Sequence, residues 1–307
     1  MSTATQERPI TKLDVSSFTR RTVAACLSCH DPSRQVIFEK HGYHLVRCNR
    51  CNLVYISDPP TNEELGRFYS FANSYQQEFS SDQGARDAFL ERGRLYLSFL
   101  SRHAKPGRLL DVGCSAGFFL QVARSQGWNV KGLEYSEDTA QLGRSLYNLD
   151  IQIGELTTCD IEDGAFDALT LWDVIEHVPD PLEVMVQAHR LLASKGLVAI
   201  STPNIDGIFP RLSYTVAKTI KHWPHPEPPA HLTQFSTKTL SSLVENAGFR
   251  VLSSFTRRIP MHYSFGENSE LIRHPRLMAY AAVFAPWAYI GPWIGMGDEV
   301  VLVAQKM

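Results

Sequence analysis

Three sets of residues in this chain have the types and spacing to do chemistry. The first is Cys26-x-x-Cys29 with Cys48-x-x-Cys51, the pairs separated by 18 residues. Two such knuckles bring four thiolates together in the spacing of a zinc ribbon. A zinc held by four thiolates has no open position for water or substrate, so its work is structural. The alternative, two disulfides, belongs to oxidising compartments, and the polar, Arg-bearing residues through Thr22 lack the apolar core of a secretory signal. The second set is Asp111-Val112-Gly113-Cys114-Ser115-Ala116-Gly117, followed 21 residues after Gly113 by Glu134. Glycines that clear space at a turn, unpaired N–H groups opening the next helix and a carboxylate about 20 positions on suit a nucleoside, whose two ribose hydroxyls the carboxylate grips. Taken singly, each feature also fits a tight turn or a helix cap. The third set, Glu176-His177, puts a carboxylate beside an imidazole, the residue types for moving a proton near neutral pH.

These residues need a frame that carries them to one edge. Leu109–Val112 reads as a strand feeding a helix over 118–126, and Trp128–Tyr135 as a second strand with Glu134 at its end. A helix over 139–149, a short strand with its loop over 151–156, a fourth strand over 165–172, a helix over 182–192 and a fifth strand over 197–201 follow. Helix 237–247, strand 250–257 and an antiparallel closing strand over 299–304 complete the pattern. Strands alternating with helices predict an α/β fold, a doubly wound, mostly parallel sheet with ligands at the carboxyl ends of its strands. Upstream, Phe89, Leu95, Tyr96, Phe99 and Leu100 repeat at helical spacing. Around the cysteines, Gln35–Phe38 and Tyr43–Arg47 alternate as two short strands. Residues 70–85, with Phe71, Tyr75 and Phe79, read as a linker whose aromatics pack on the next domain, or with Tyr69 and Tyr75 lining a substrate entrance.

Two stretches interrupt the pattern. Residues 205–235 contain Trp223-Pro224-His225-Pro226-Glu227-Pro228-Pro229-Ala230-His231, which cannot be helix or central strand and predicts a loop arching over the site. Residues 277–297 carry no charge and include Trp287, Tyr289 and Trp293; with Phe265 they form either an aromatic lid over an apolar acceptor or a second core under the sheet edge. The stretch is long enough to cross a bilayer, but Pro286, Pro292 and the return of 299–304 to the sheet exclude a span and leave a peripheral membrane contact open. The 307 residues, 44% apolar with a net charge of −2, predict a globular protein of the cytoplasm with no basic footprint for nucleic acid and a small molecule as partner. The oligomeric state is not legible.

Asp111–Gly117, Leu133-Glu134-Tyr135-Ser136, Phe166–Val178 and Ser201-Thr202-Pro203-Asn204 resemble the successive motifs of class I S-adenosylmethionine-dependent methyltransferases. The likeness runs over roughly residues 86–307. Glu176-His177-Val178 and Thr202-Pro203-Asn204 narrow it to the branch containing ubiquinone-biosynthesis O-methyltransferases; Ser115 stands where that loop often has Gly. The resemblance implies a seven-stranded Rossmann-like sheet and S-adenosylmethionine as cofactor. It implies that Asp111, Gly113, Cys114, Ser115, Gly117, Glu134, Tyr135, Glu155, Leu156, Trp172 and Asp173 hold that cofactor, with Glu155 and Leu156 at the adenine edge. His177 would take the acceptor's proton, with Glu176 orienting it and His231 beside them. In a variant, Asp173, Glu176, His177 and His231 hold a divalent ion, although Asp173 stands where that branch has Glu.

The layout read from all of this is an arm over 1–22, a zinc ribbon over 23–58, a linker over 59–85 and a methyltransferase domain over 86–307 with lid insertions near 205–235 and 259–296. The expected reaction is O-methylation of a phenol, quinol or other hydroxyl. The ribbon also resembles the front end of some sugar C-methyltransferases, which makes C-methylation of a nucleotide-linked sugar the alternative. A non-catalytic zinc-ribbon binding protein is a third reading, disfavoured by the intact Gly113, Gly117 and Glu134.

Overall fold

The computed structural model describes residues 14–69, 83–220, 223, 225–259 and 273–307. The cysteine knuckles flank a hairpin of β1 (Arg34–Lys40) and β2 (Tyr43–Cys48), to which β3 (Val54–Ile56) adds before a helix, α1, over 62–69. There follow α2 (Gln83–Leu100), β4 (Arg108–Val112), α3 (Phe118–Ser125), β5 (Asn129–Glu134), α4 (Glu137–Tyr147), β6 (Ile151–Ile153), β7 (Phe166–Trp172), α5 (Pro181–Leu191) and β8 (Leu192–Pro203). The last third holds α6 (Ile208–Ile220), β9 (Thr233–Gln234), α7 (Thr237–Asn246), β10 (Phe249–Arg257), α8 (Pro275–Ile290) and β11 (Glu299–Lys306).

Seven strands form one sheet in the order β10-β11-β8-β7-β4-β5-β6. β8, β7, β4, β5 and β6 are parallel, and β11 runs antiparallel between β10 and β8. Order reverses between β4 and β7, so the loops after these two strands face a common crevice. The central strands β4, β7 and β11 and the second half of β8 are mostly buried because both faces of the sheet are covered there. Leu110, Val300 and Leu302 belong to the core on one face, and Leu109, Val301 and Val303 to the core on the other.

Local chemistry sets the helix ends. Ser136 caps α4 by accepting the N–H of Thr139, with Glu137 and Asp138 in the first turn, so this helix starts two residues before the apolar periodicity does. Asp180 caps α5 ahead of Pro181, and Ser236 with Thr239 forms a capping box on α7. The fifth parallel strand is longer than expected, reaching back to Leu192 opposite Phe166.

The expected loop over 205–235 is corrected in part. Ile208–Ile220 is helical, with Pro210 in the first turn where its missing N–H costs nothing, and residues 225–231 of the Pro-rich segment are irregular. Its exit, Thr233–Gln234, pairs with β3 through Tyr55↔Thr233 and Val54↔Gln234. The small sheet is thus β1-β2-β3-β9, with its fourth strand supplied from the far end of the sequence. The cysteine module builds its core together with other parts of the chain: Cys26, Val46, Cys48, Leu53 and Tyr55 are buried in the same cluster as Phe235, Leu240, Leu243 and Phe249, and Tyr43 and Ile56 in a smaller one with Leu65 and Leu232. The uncharged stretch is helix α8, packed through Phe284 and Ala288 on Phe209 of α6, and no helix among the described residues is long and apolar enough to cross a membrane. Phe71, Tyr75, Phe79 and Phe265 lie outside the described residues.

Candidate active site

The loop after β4 is built on left-handed backbone. Gly113 and Gly117 have φ of 66° and 76°, and Ser115 has 49°. A Cβ on Gly113 would lie 2.6 Å from Val174 Cγ2, and one on Gly117 would strike Leu149. The glycines are therefore demanded by backbone conformation and protein packing, where the sequence suggested clearance for a ligand. Beside them Glu134 is buried, its Oε2 accepting the N–H of Ser115 and its Oε1 that of Ser136, both at 2.9 Å. Burial raises its pKa and these N–H groups pull it back. Each oxygen keeps a lone pair for a ligand hydroxyl.

The other residues assigned to the cofactor divide. Tyr135 is exposed, and its hydroxyl sits 2.6 Å from where a Cβ on Gly66 would be, so α1 lies over this edge of the loop. Asp111 is buried beneath the loop, accepting 2.6 Å from Thr170 Oγ1, and burial pushes its pKa up to about 7. Cys114 is buried against Gly132 and Leu156 lies in the core, while Glu155 faces solvent.

Trp172 and Asp173 belong to a polar network that sequence reasoning missed. Trp172 stacks on Tyr96 of α2, centroids 4.3 Å apart and planes within 6°. Tyr96 donates 2.6 Å to Glu299 Oε1, and Ser201 donates 2.9 Å to Asp173 Oδ1. Arg92 pairs with Asp173 and lies 3.7 Å from Glu299, whose other oxygen is 3.1 Å from Arg257 Nε. Burial and Asp173 raise Glu299 to about 7 against the two guanidinium groups. Two cations and two carboxylates thus close the crevice from the α2 side. The signal was Arg92 one turn before Tyr96, which the apolar periodicity of α2 concealed.

Opposite, the loop after β7 meets the proline-rich insertion. His177 Nδ1 is 2.8 Å from the carbonyl of Ala230. A carbonyl only accepts, so Nδ1 carries the hydrogen and Nε2 the lone pair. The Tyr69 hydroxyl at the end of α1 donates to the same carbonyl at 2.9 Å. Nε2 is 3.9 Å from Glu176 Oε1, an atom with no hydrogen-bond partner among the described residues, while Oε2 accepts 2.9 Å from Thr202 Oγ1. The His231 ring stands 4.8 Å from that of His177, its Nδ1 equally unpartnered. Burial lowers the pKa of both histidines and raises that of Glu176. The N–H groups of Leu232 and Thr233 donate to the Glu176 carbonyl at 2.8 and 3.1 Å, and Ile56 of β3 donates 2.9 Å to the Leu232 carbonyl. The cysteine module thereby holds the insertion that holds His177.

Potential ligand atoms of Glu176, His177 and His231 lie within 4.8 Å of one another; Asp173, engaged by Arg92, is outside that group. The four Sγ atoms of Cys26, Cys29, Cys48 and Cys51 lie within the same limit, with Cys26 to Cys51 at 3.5 Å and Cys29 to Cys48 at 3.6 Å. Four converging thiols, two of them buried, fit a single tetrahedral zinc.

The family model described as a methyltransferase domain matches residues 83–254. The ubiquinone biosynthesis O-methyltransferase of Neisseria meningitidis serogroup C is 34% identical over 159 residues, covering 48% of this chain and 66% of that protein. The protein of the same name from Pseudomonas aeruginosa is 32% identical over 104 residues, 32% of this chain and 44% of its own length. The chain thus spans about half the length of the curated relatives it matches. A SAM dependent methyltransferase from Archaeoglobus fulgidus has the same fold, with a TM-score of 0.51 at 17% identity over 76% of this chain and 99% of that one. The matched region runs from α2 into β10 and takes in the glycine loop, Glu134 and the Glu176-His177 pair; on a match over more than half of its sequence, the chain belongs to the methyltransferase domain family.

Proposed function

We propose that the chain moves the methyl group of S-adenosylmethionine to a hydroxyl of a small molecule, a phenol or quinol by class. When bound, the sulfonium supplies an already electrophilic methyl, so the protein's part is alignment and the removal of one proton. The β4–α3 loop and Glu134 would hold the nucleoside, Glu134 accepting from the two ribose hydroxyls with the lone pairs its backbone contacts leave over. The observation that carries the reading is His177: neutral through burial, fixed as the Nδ1–H tautomer by Ala230, its Nε2 lone pair turned toward the unpartnered Glu176 oxygen at the carboxyl end of β7. That imidazole can accept the acceptor's proton at Nε2, and Glu176 Oε1 would stabilise the imidazolium that results.

A second reading is favoured by two unpartnered atoms, Glu176 Oε1 and His231 Nδ1. A buried carboxylate oxygen and an imidazole nitrogen that face one crevice without donors suit a divalent ion held by Glu176, His177 and His231, which would make an acceptor hydroxyl more acidic. The zinc of the ribbon would be held by Cys26, Cys29, Cys48 and Cys51, and the hydrogen-bonded path from β3 to Glu176 gives that module the task of positioning the insertion.

The test is turnover of isotope-labelled methyl donor with phenols, quinols and nucleotide sugars, with and without a chelator that leaves the ribbon metal in place. Label on a phenolic oxygen, unaffected by chelation, supports the base; loss on chelation supports the ion. Label on a sugar carbon, or no affinity for S-adenosylhomocysteine by calorimetry, overturns the proposal.

A further inference from the structure

Between residues 277 and 297 the chain has no charged side chain, yet much of this stretch faces outward. On its inner side α8 buries Phe284 and Ala288 against Phe209. On its outer side Met278, Val283, Trp287 and Ile290 are exposed, and the turn that follows adds Trp293 and Ile294; Val283 is 59% exposed and Trp293 90%. A surface helix ordinarily turns charged residues outward, and beyond its first two residues this one has none to turn. The patch continues onto α6, where Leu212 and Val216 are exposed.

The rim of the patch is basic. Arg211 and Lys218 stand exposed on α6 and Arg273 is exposed two residues before α8, while Arg258, over the Tyr289 ring at 3.9 Å, has its Nη1 buried. The acids nearby are Asp206, which lines a cavity with Arg211, and Asp298, which is buried beside Arg258. In a whole chain of net charge −2, this one face therefore joins apolar surface to exposed cations. A two-fold dimer through the patch would set the basic rim of one copy against that of the other. Tryptophan and tyrosine at the edge of an apolar surface, ringed by arginine and lysine, match the boundary between acyl chains and anionic headgroups.

We infer that the outer face of α6, α8 and the turn 291–294 docks on an anionic lipid bilayer, inserting Trp287 and Trp293 at headgroup depth while Arg211, Lys218 and Arg273 contact lipid phosphates. The docking is independent of the methyl-transfer reading. The protein lies on the surface and does not cross it.

The experiment is co-sedimentation of the full chain with phosphatidylcholine vesicles, with and without phosphatidylglycerol, across a salt series. Binding is expected on the anionic vesicles alone, weakening as salt rises. Trp287→Ser with Trp293→Ser should lower the partition coefficient by roughly tenfold or more, and Arg211→Glu with Lys218→Glu by a similar factor. Thermal unfolding and S-adenosylhomocysteine binding show that the variants are folded. Failure of the wild type to bind anionic vesicles, or binding that both double variants retain, overturns the inference. So does a dimer in sedimentation velocity that Val283→Glu dissociates, since the face would then be covered by a second copy.

Discussion

His177→Asn separates the two jobs of the imidazole. An asparagine amide N–H can stand where Nδ1–H does, so the bond to the Ala230 carbonyl survives while the Nε2 lone pair is lost. Removing a positioned general base lowers kcat by about 10²–10⁴-fold, a barrier increase of about 3–5 kcal/mol. His177→Ala loses the base and the hydrogen bond together. The Ala230 carbonyl would then keep only the Tyr69 hydroxyl, so the expected stability cost is about 1 kcal/mol, the low end for a buried bond. The two variants should therefore share a kcat and differ in thermal midpoint, with cofactor affinity unchanged in both. Steady-state kinetics, scanning calorimetry and titration with S-adenosylhomocysteine measure the three quantities. Because burial lowers the pKa of His177, wild-type activity should hold steady from alkaline pH down to the ordinary histidine range and fall only below it. A His177→Asn enzyme within about twofold of the wild type would refute the assignment of the proton to Nε2.

Glu134→Ala should weaken S-adenosylhomocysteine by about 1–3 kcal/mol in calorimetry, whereas Gly113→Val, forced against Val174 on left-handed backbone, should show its effect first as a lowered thermal midpoint. Elemental analysis should find one zinc per wild-type chain and none in Cys48→Ser/Cys51→Ser; since the module shares its core with Phe235, Leu240 and Phe249, unfolding should start earlier for the whole chain. His225, half-buried against Phe209, has its pKa lowered to about 3, by burial first and then by Lys40. The unfolded chain takes up this proton below about pH 6.5 and the folded chain does not, so wild-type stability falls as pH drops through that value. His225→Leu should gain about 1.4 kcal/mol on the wild type for each pH unit below it in urea titrations; an equal difference at pH values either side would disprove this.

The sheet was legible because parallel strands covered on both faces leave apolar runs, and short loops between them leave few topologies. Glu134 was legible for a related reason: its distance from Gly113 is set by one helix and one strand. The reason for the glycines was not, because their neighbours Val174 and Leu149 come from elsewhere in the chain. The network of Arg92, Tyr96, Asp173 and Glu299 was hidden likewise, since an arginine on a helix reads as solvated until its partner Asp173, 81 positions away, and the still more distant Glu299 are known. Helix α6 was masked by the prolines beyond it, which break regular structure in their own stretch but not upstream of it.

The pairing of β3 with Thr233–Gln234 also sets a schedule for synthesis. Val54, Tyr55 and Ile56 emerge from the ribosome about 180 residues before their partner strand, on the order of ten to forty seconds at ordinary elongation rates. For that interval one edge of a three-stranded sheet stands open, offering free N–H and C=O groups and side chains that end up buried. Metal capture by the knuckles can close the hairpin early, but it cannot cover this edge. The nascent chain is therefore most prone to mispairing before the insertion arrives, and a circular permutant that makes residues 233–234 first should shorten the exposure and raise the soluble yield.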